Sequence, residues 1–214
     1  RLASEGSRPR LPWSFRLAAV QANPELCASI LDNLKADSSL YVRKSVANHL
    51  NDITKDHPDW VLSLIEGWDL DNPHTAWIAR HALRSLIKQG NTRALTIIGA
   101  GAKAEVKIHH LRVTPAVIAL GERINLTFSL ESTAAAPQKL VVDYAIDYVK
   151  SAGHSAAKVF KLKAFTLGAG EQHSLRREQH IRELTTRKHY PGRHAVHVLV
   201  NGERLGSAEF ELRD

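Results

Sequence analysis

The chain has 214 residues, with 29 Lys and Arg against 22 Asp and Glu and a formal net charge of +7. That length suits two compact domains and is short for three, and the excess of cations favours an anionic partner such as nucleic acid. A single cysteine, Cys27, excludes an internal disulfide framework, no Cys/His spacing resembles a structural zinc site, and no apolar run is long enough to span a bilayer. The expectation is a protein of the reducing cytoplasm with no cofactor, no metal and no membrane partner.

In chain order, Arg1 to Val20 lacks signal-peptide organisation. The chain begins at Arg1 and contains no methionine, which predicts a longer gene product. Within this stretch lies "SRPRLPWSF", Ser7 to Phe15. Two prolines stiffen it, Arg8 and Arg10 charge it, and Trp13 stands beside these cations at the junction with the next helix, outside any apolar stripe.

From Asn23 to Ile98 the apolar residues keep helical spacing. "NPELCASIL", "HPDWVLSLI" and "NTRALTIIG" begin at Asn23, His57 and Asn91, 34 residues apart each time. The first two open with Pro and an acidic residue, as a helix N-terminus prefers. Each is followed by a second helix, predicted over Tyr41–Lys55 and His74–Gln89. Paired helices at this period predict an α-solenoid of the HEAT or armadillo sort, here with fewer than three full units. Trp60, Trp68 and Trp77 fall in the apolar stripes and are expected in core or inter-repeat contacts.

In "YVRKSVANHLNDITKDHPDW", Val42, Val46, Leu50 and Ile53 form one buried face, while Lys44, Asn48 and Asp52 stack on another. A carboxylate late in a helix sits toward the negative end of the dipole, a cost that Lys44, Asn48 and Lys55 offset. Such a face is either a solvated surface with ion pairs of a few tenths of a kcal/mol each or a surface that meets a phosphodiester. Arg8, Arg10, Arg43 and Lys44 are the candidate phosphate contacts, with Asn48 as a candidate for holding backbone or site geometry.

The seam "GAGAKAE", Gly99 to Glu105, divides helical repeats over 1–102 from a β-rich part over 103–214. Apolar alternation marks strands at Ile124–Leu130, along Val142, Tyr144, Ile146 and Tyr148, at Val196–Val200, and, after the Asn201-Gly202 turn, at Leu205–Leu212. This pattern suits an immunoglobulin-like β-sandwich without the Cys pair or core Trp of an antibody domain. The predicted loop "TTRKHYPGRH" places Arg187, Lys188 and Tyr190 either against DNA or in solvent at the end of the sandwich. Eight of the twelve histidines lie in this half without ligand spacing. The fold class is therefore multidomain α + β.

"RPRLPW", "YVRKSVANHLNDITKDHPDWV", "TAWIARHALRSLIKQG" and "HYPGRHAVHVLVNG" together resemble the AlkC branch of the HEAT-repeat alkylpurine DNA glycosylases, over essentially the whole chain. The resemblance implies hydrolysis of the N-glycosidic bond of alkylated bases, 3-methyladenine and 3-methylcytosine, without flipping the base into a pocket; the expected partner is double-stranded DNA containing alkylated bases, and the expected state a monomer. It places the catalytic Asp at Asp52 and the active-site Trp at Trp13. It also implies a further active-site acid on an upstream helix, so that this stretch holds part of the site. A non-catalytic helical scaffold and a DNA-binding protein that recognises damage without hydrolysing it are the alternatives.

Overall fold

The computed structural model describes residues 1–101, 103–183 and 188–213. The chain divides into two compact units, Arg1–Gly101 and Ala102–Asp214.

The first unit is helical. Helices α1 (Leu2–Gly6) and α2 (Ala18–Ala22) flank the Arg/Pro segment, and a short 3-10 turn over Pro24–Cys27 runs into α3 (Ala28–Asn33). Then come α4 (Leu40–Ile53), α5 (Pro58–Glu66), α6 (Pro73–Ala82), α7 (Arg84–Lys88) and α8 (Thr92–Ile97). The 34-residue period has a local cause, because Asn23, His57 and Asn91 are the N-cap residues of the turn, α5 and α8. The Asn23 side chain accepts from the Glu25 N–H and that of Asn91 from the Ala94 N–H, satisfying donors that a helix start leaves open.

α4 packs on α1 and α6, and α5 packs on α8. Val46, Leu50 and Ile53 of α4 are fully buried with Leu62, Ile65, Ile78 and Leu83, each side chain contributing roughly 1.5–3 kcal/mol on leaving water. Val42, at the α4 start, is only half-buried. Trp68 is buried and donates to Asp32, whereas Trp60 is half-buried and donates to Glu25. The single helix expected over His74–Gln89 is broken at Leu83. Asn51 of α4 donates to the Ala82 carbonyl at 2.8 Å and Arg84 to the His81 carbonyl at 2.6 Å. These side chains occupy acceptors that a continuing helix would use.

The second unit pairs two sheets. Its strands are β1 (Val106–Thr114), β2 (Val117–Ala119), β3 (Arg123–Ser132), β4 (Gln138–Val149), β5 (Ser155–Leu167), β6 (Gln172–His180), β7 (Gly192–Val200) and β8 (Glu203–Arg213). One sheet has the order β1-β3-β6, the other β2-β8-β7-β4-β5. β2 and β8 run parallel, and the other pairs are antiparallel. Leu126, Phe128 and Leu130 face Tyr144, Ile146, Val196, Val198 and Phe210 in one core, as the period of two requires. The β7–β8 turn needs positive φ at both central residues, and Asn201 (47°) and Gly202 (81°) supply it.

Candidate nucleic-acid site on the helical unit

Asp52 sits in the last turn of α4 and is 6% exposed. Its partner comes from 44 residues earlier in the chain. Arg8 donates from Nε at 2.9 Å and from a terminal nitrogen at 2.8 Å, both to the same oxygen, Asp52 Oδ2. Among the described residues the other oxygen, Oδ1, meets only the half-exposed Lys55 ammonium, at 3.5 Å. The remaining terminal nitrogen of Arg8 reaches Glu5 Oε1 at 2.7 Å, so one guanidinium joins two carboxylates. Burial would lower the Arg8 pKa, but hydrogen bonds to Asp52 and Glu5 outweigh it and hold the proton more firmly than usual.

Glu5 is anchored in turn. Ser45 of α4 donates to its Oε2 at 2.6 Å, and Arg1 lies 3.3 Å from the same oxygen. Burial would raise the Glu5 carboxyl. The bonds from Ser45 and Arg8, with the charges of Arg8 and Arg1, prevail and keep it below the ordinary carboxylate range. His49, one turn from Asp52, is completely buried, and among the described residues neither ring nitrogen finds a hydrogen bond of normal geometry. Burial pushes its pKa down to about 4, only partly opposed by the Ser4 backbone and the Asp52 charge, so the ring is neutral at pH 7.

Arg84, at the start of α7, completes the surroundings. It donates to Asn48 Oδ1 at 3.1 Å and to the His81 carbonyl, both neutral acceptors. Burial lowers its pKa, the Asp52 charge counteracts this, and Arg8 adds to it, so its field reaches the same cluster. Glu5, Ser45, His49 and Arg84 escape the sequence reading. The spacing of Glu5 and Arg8 at i and i+3 was a usable signal, while nothing in the sequence couples Arg84 to Asp52.

A second clamp lies one turn on. Arg10 binds Asp56 through Nε at 3.2 Å and a terminal nitrogen at 2.6 Å, and the Arg10 hydrogen bond holds the Asp56 carboxyl low. The Leu17 N–H donates to the Pro9 carbonyl at 3.3 Å, closing the intervening loop at its base. At the tip of this loop Trp13 is fully exposed, in the left-handed region with φ of 62°, with Phe15 also largely exposed. The absence of Trp13 from any apolar stripe thus has a direct counterpart, a bare indole held up from a clamped base.

The expected phosphate contacts part company here. Arg8 is buried and spent on Asp52 and Glu5, which corrects its reading as a free phosphate ligand: a carboxylate pair already fills its fork. Arg43 donates to the Asp37 and Ser38 carbonyls and lies 5.8 Å over the Trp77 ring, which itself stacks on His81. These bonds tie Arg43 to the loop before α4. Lys44 is exposed, Asn48 is half-buried beneath Arg84, and Arg10 is half-buried on Asp56. On the second unit Lys188 is exposed and Tyr190 half-buried, its carbonyl receiving His194 Nε2 at 3.1 Å. Arg187 lies outside the described residues. Among the described residues no group of three or more His, Cys, Asp or Glu is placed to hold a metal ion.

Residues 107–214, just over half the chain, match the sequence family described as "Uncharacterised protein YhaZ, C-terminal Ig-like domain". The chain belongs to this family. It is 43% identical over 212 residues to the protein YhaZ of Bacillus subtilis strain 168, covering 99% of this chain and 59% of that one. Among solved structures, the Pseudomonas fluorescens alkylpurine DNA glycosylase AlkC, bound to DNA containing an abasic site analog, is 89% identical with a TM-score of 0.97. That match covers all of this chain and 59% of AlkC. The YhaZ-family chain thus spans about three-fifths of the length of both relatives.

Proposed function

We propose that this chain is the greater part of a DNA glycosylase that hydrolyses the N-glycosidic bond of alkylated bases such as 3-methyladenine and 3-methylcytosine in double-stranded DNA. The observation that carries the reading is the 89% identity to AlkC across the whole of this chain. We read the helical unit as a HEAT-like repeat array, the protein as a cytoplasmic monomer, and the reaction as needing no metal or cofactor.

A base alkylated at a ring nitrogen is already cationic and leaves without being protonated. The protein's task is to stabilise the positive, oxocarbenium-like deoxyribose and to orient water. Asp52 Oδ1, free of Arg8, is the oxygen that meets the sugar or the water. Arg8 and Glu5 are positioning residues that fix the plane of the Asp52 carboxylate. Trp13 lies against the sugar or the charged base, where a cation–π contact contributes roughly 0.5–2 kcal/mol. Lys44, Lys55 and Lys188 are exposed cations available to phosphate.

A second reading, recognition of damage without hydrolysis, draws on one observation: Asp52 Oδ2 is already neutralised by Arg8. Release of methylated base from duplex DNA separates the two. Hydrolysis that disappears in Asp52→Asn supports the glycosylase, and tight binding of methylated DNA with no release by the wild-type protein supports recognition alone.

A further inference from the structure

The outer face of the β1–β3–β6 sheet carries a shallow cavity of about 350 Å³ whose lining includes His110, Arg112, Thr127, Ser129, Ser174 and Arg176, and no carboxylate among the described residues. Arg112, Thr127 and Arg176 stand in one row across the three strands. With neighbouring strands roughly 4.8 Å apart, the two arginines flank Thr127 within reach of one small anion.

A built-in irregularity produces this row. Between His109 and Arg112 the strand β1 gains one residue on β3, because His109 pairs with Ser129 and Arg112 with Thr127. Without the bulge Leu111 would oppose Thr127, and an apolar residue would hold the centre of the row. The extra residue is accommodated by His110 at a φ of 54°, an unfavourable angle for a side chain with a Cβ. Leu111 instead turns to Gly206, where an added Cβ would come within 3.0 Å of Leu111 Cδ2.

The hydrogen-bond inventory fixes the ligand class. Arg112 spends Nε on Thr127 Oγ1, at 3.2 Å, and keeps both terminal nitrogens. Arg176 spends Nε and one terminal nitrogen on the neutral Asn125 Oδ1 and keeps the other. Thr127 accepts from Arg112 and Ser129 accepts from Gln172, so both hydroxyl protons remain to be donated. Among the described residues neither arginine pairs with a carboxylate, in contrast to Arg123 on Glu178 beside them. The cavity is rich in donors and poor in acceptors.

We propose that this cavity is a phosphate site, with Arg112 and Arg176 gripping a tetrahedral oxyanion over Thr127. Its source is a phosphodiester of the DNA backbone, an assignment that rests on the functional reading above, or free phosphate. The test uses the intact chain with Arg112→Gln, Arg176→Gln and the double variant, and Arg204→Gln as a control on the other sheet. Inorganic phosphate should shift the amide resonances of Arg112, Thr127 and Arg176, and the double variant should lose the effect. If DNA is the source, each substitution should also reduce the salt slope of duplex binding by about 0.9, with Arg204→Gln unchanged. Shifts with phosphate but an unchanged slope support the site and make free phosphate its source. No shift and no change of slope would overturn the proposal, as would binding of poly-glutamate in place of phosphate, which would make this an acidic-protein site. Should Asp52→Asn keep full base release while the phosphate shifts persist, the glycosylase reading fails and this site stands.

Discussion

Arg8 and Asp52, 44 residues apart, meet as a buried pair in which two nitrogens of the guanidinium converge on one carboxylate oxygen. Two residues later Arg10 clamps Asp56, with one nitrogen on each carboxylate oxygen. The spacing is commensurate. Two chain positions reach at most ~7 Å, and Asp56 follows Asp52 through the hydrogen-bonded turn that ends α4, so an Arg-Pro-Arg segment meets both aspartates. The clamp joins the Trp13 loop to the end of α4.

Removing Arg8 leaves Asp52 and Glu5 buried with weakened partners. Arg8→Ala is expected to cost about 3 kcal/mol of stability, read as a lower midpoint in urea. Arg10→Ala, at a half-exposed pair, is expected to cost under ~1 kcal/mol.

Trp13 contributes nothing to the fold, since its side chain is fully exposed. Trp13→Ala should leave the melting temperature within error, or raise it slightly because a smaller side chain sits more easily at positive φ. The same variant should release methylated bases roughly two- to thirtyfold more slowly, in keeping with loss of a contact of roughly 0.5–2 kcal/mol. Unchanged melting with reduced release identifies a contact made only with substrate.

His49 sets an acid limit on stability. Its folded pKa, about 4, lies below the ordinary 6.5, so below 6.5 the unfolded chain binds the extra proton and the folded chain does not. Stability contributed by the neutral ring is complete above about pH 6.5 and is lost as the pH falls toward 4, by up to about 3 kcal/mol. Glu5 and Asp56, also held low, extend the loss further into acid. His49→Leu removes two buried nitrogens that lack well-formed hydrogen bonds among the described residues, at similar volume, and should flatten stability between pH 6.5 and 4 without destabilising the protein at pH 7.

Gly206 makes room for Leu111, and with it for the β1 bulge. Gly206→Val should cost about 1–3 kcal/mol through overpacking, measured by thermal melting. It should also shift the Arg112 amide resonance, because the bulge can no longer turn Leu111 inward.

The elements legible in the sequence are those with a period. Asn23, His57 and Asn91 announce the repeat because N-caps recur with the helices they start, and Leu126, Phe128 and Leu130 announce a strand because alternate residues face one core. The break at Leu83 is invisible because its cause, Asn51, belongs to another helix. The β1 bulge is hidden for a similar reason: Leu111 turns inward only because Gly206 lies opposite. At the candidate site, Asp52 and Trp13 stand out by residue type and by their departure from apolar stripes. The Arg8–Asp52 pair does not, because the docking of an irregular segment on a helix leaves no periodic trace, and a charged side chain reads as exposed until its partner is known.

The central claim is that Asp52 carries charge for bond cleavage and does more than anchor Arg8. The direct measurement is single-turnover release of 3-methyladenine from methylated duplex DNA by Asp52→Asn and wild type, each in a protein of the relatives' full length, with DNA affinity measured alongside. The account predicts a rate lower by roughly a hundredfold or more at similar affinity. Release at the wild-type rate by Asp52→Asn would contradict it.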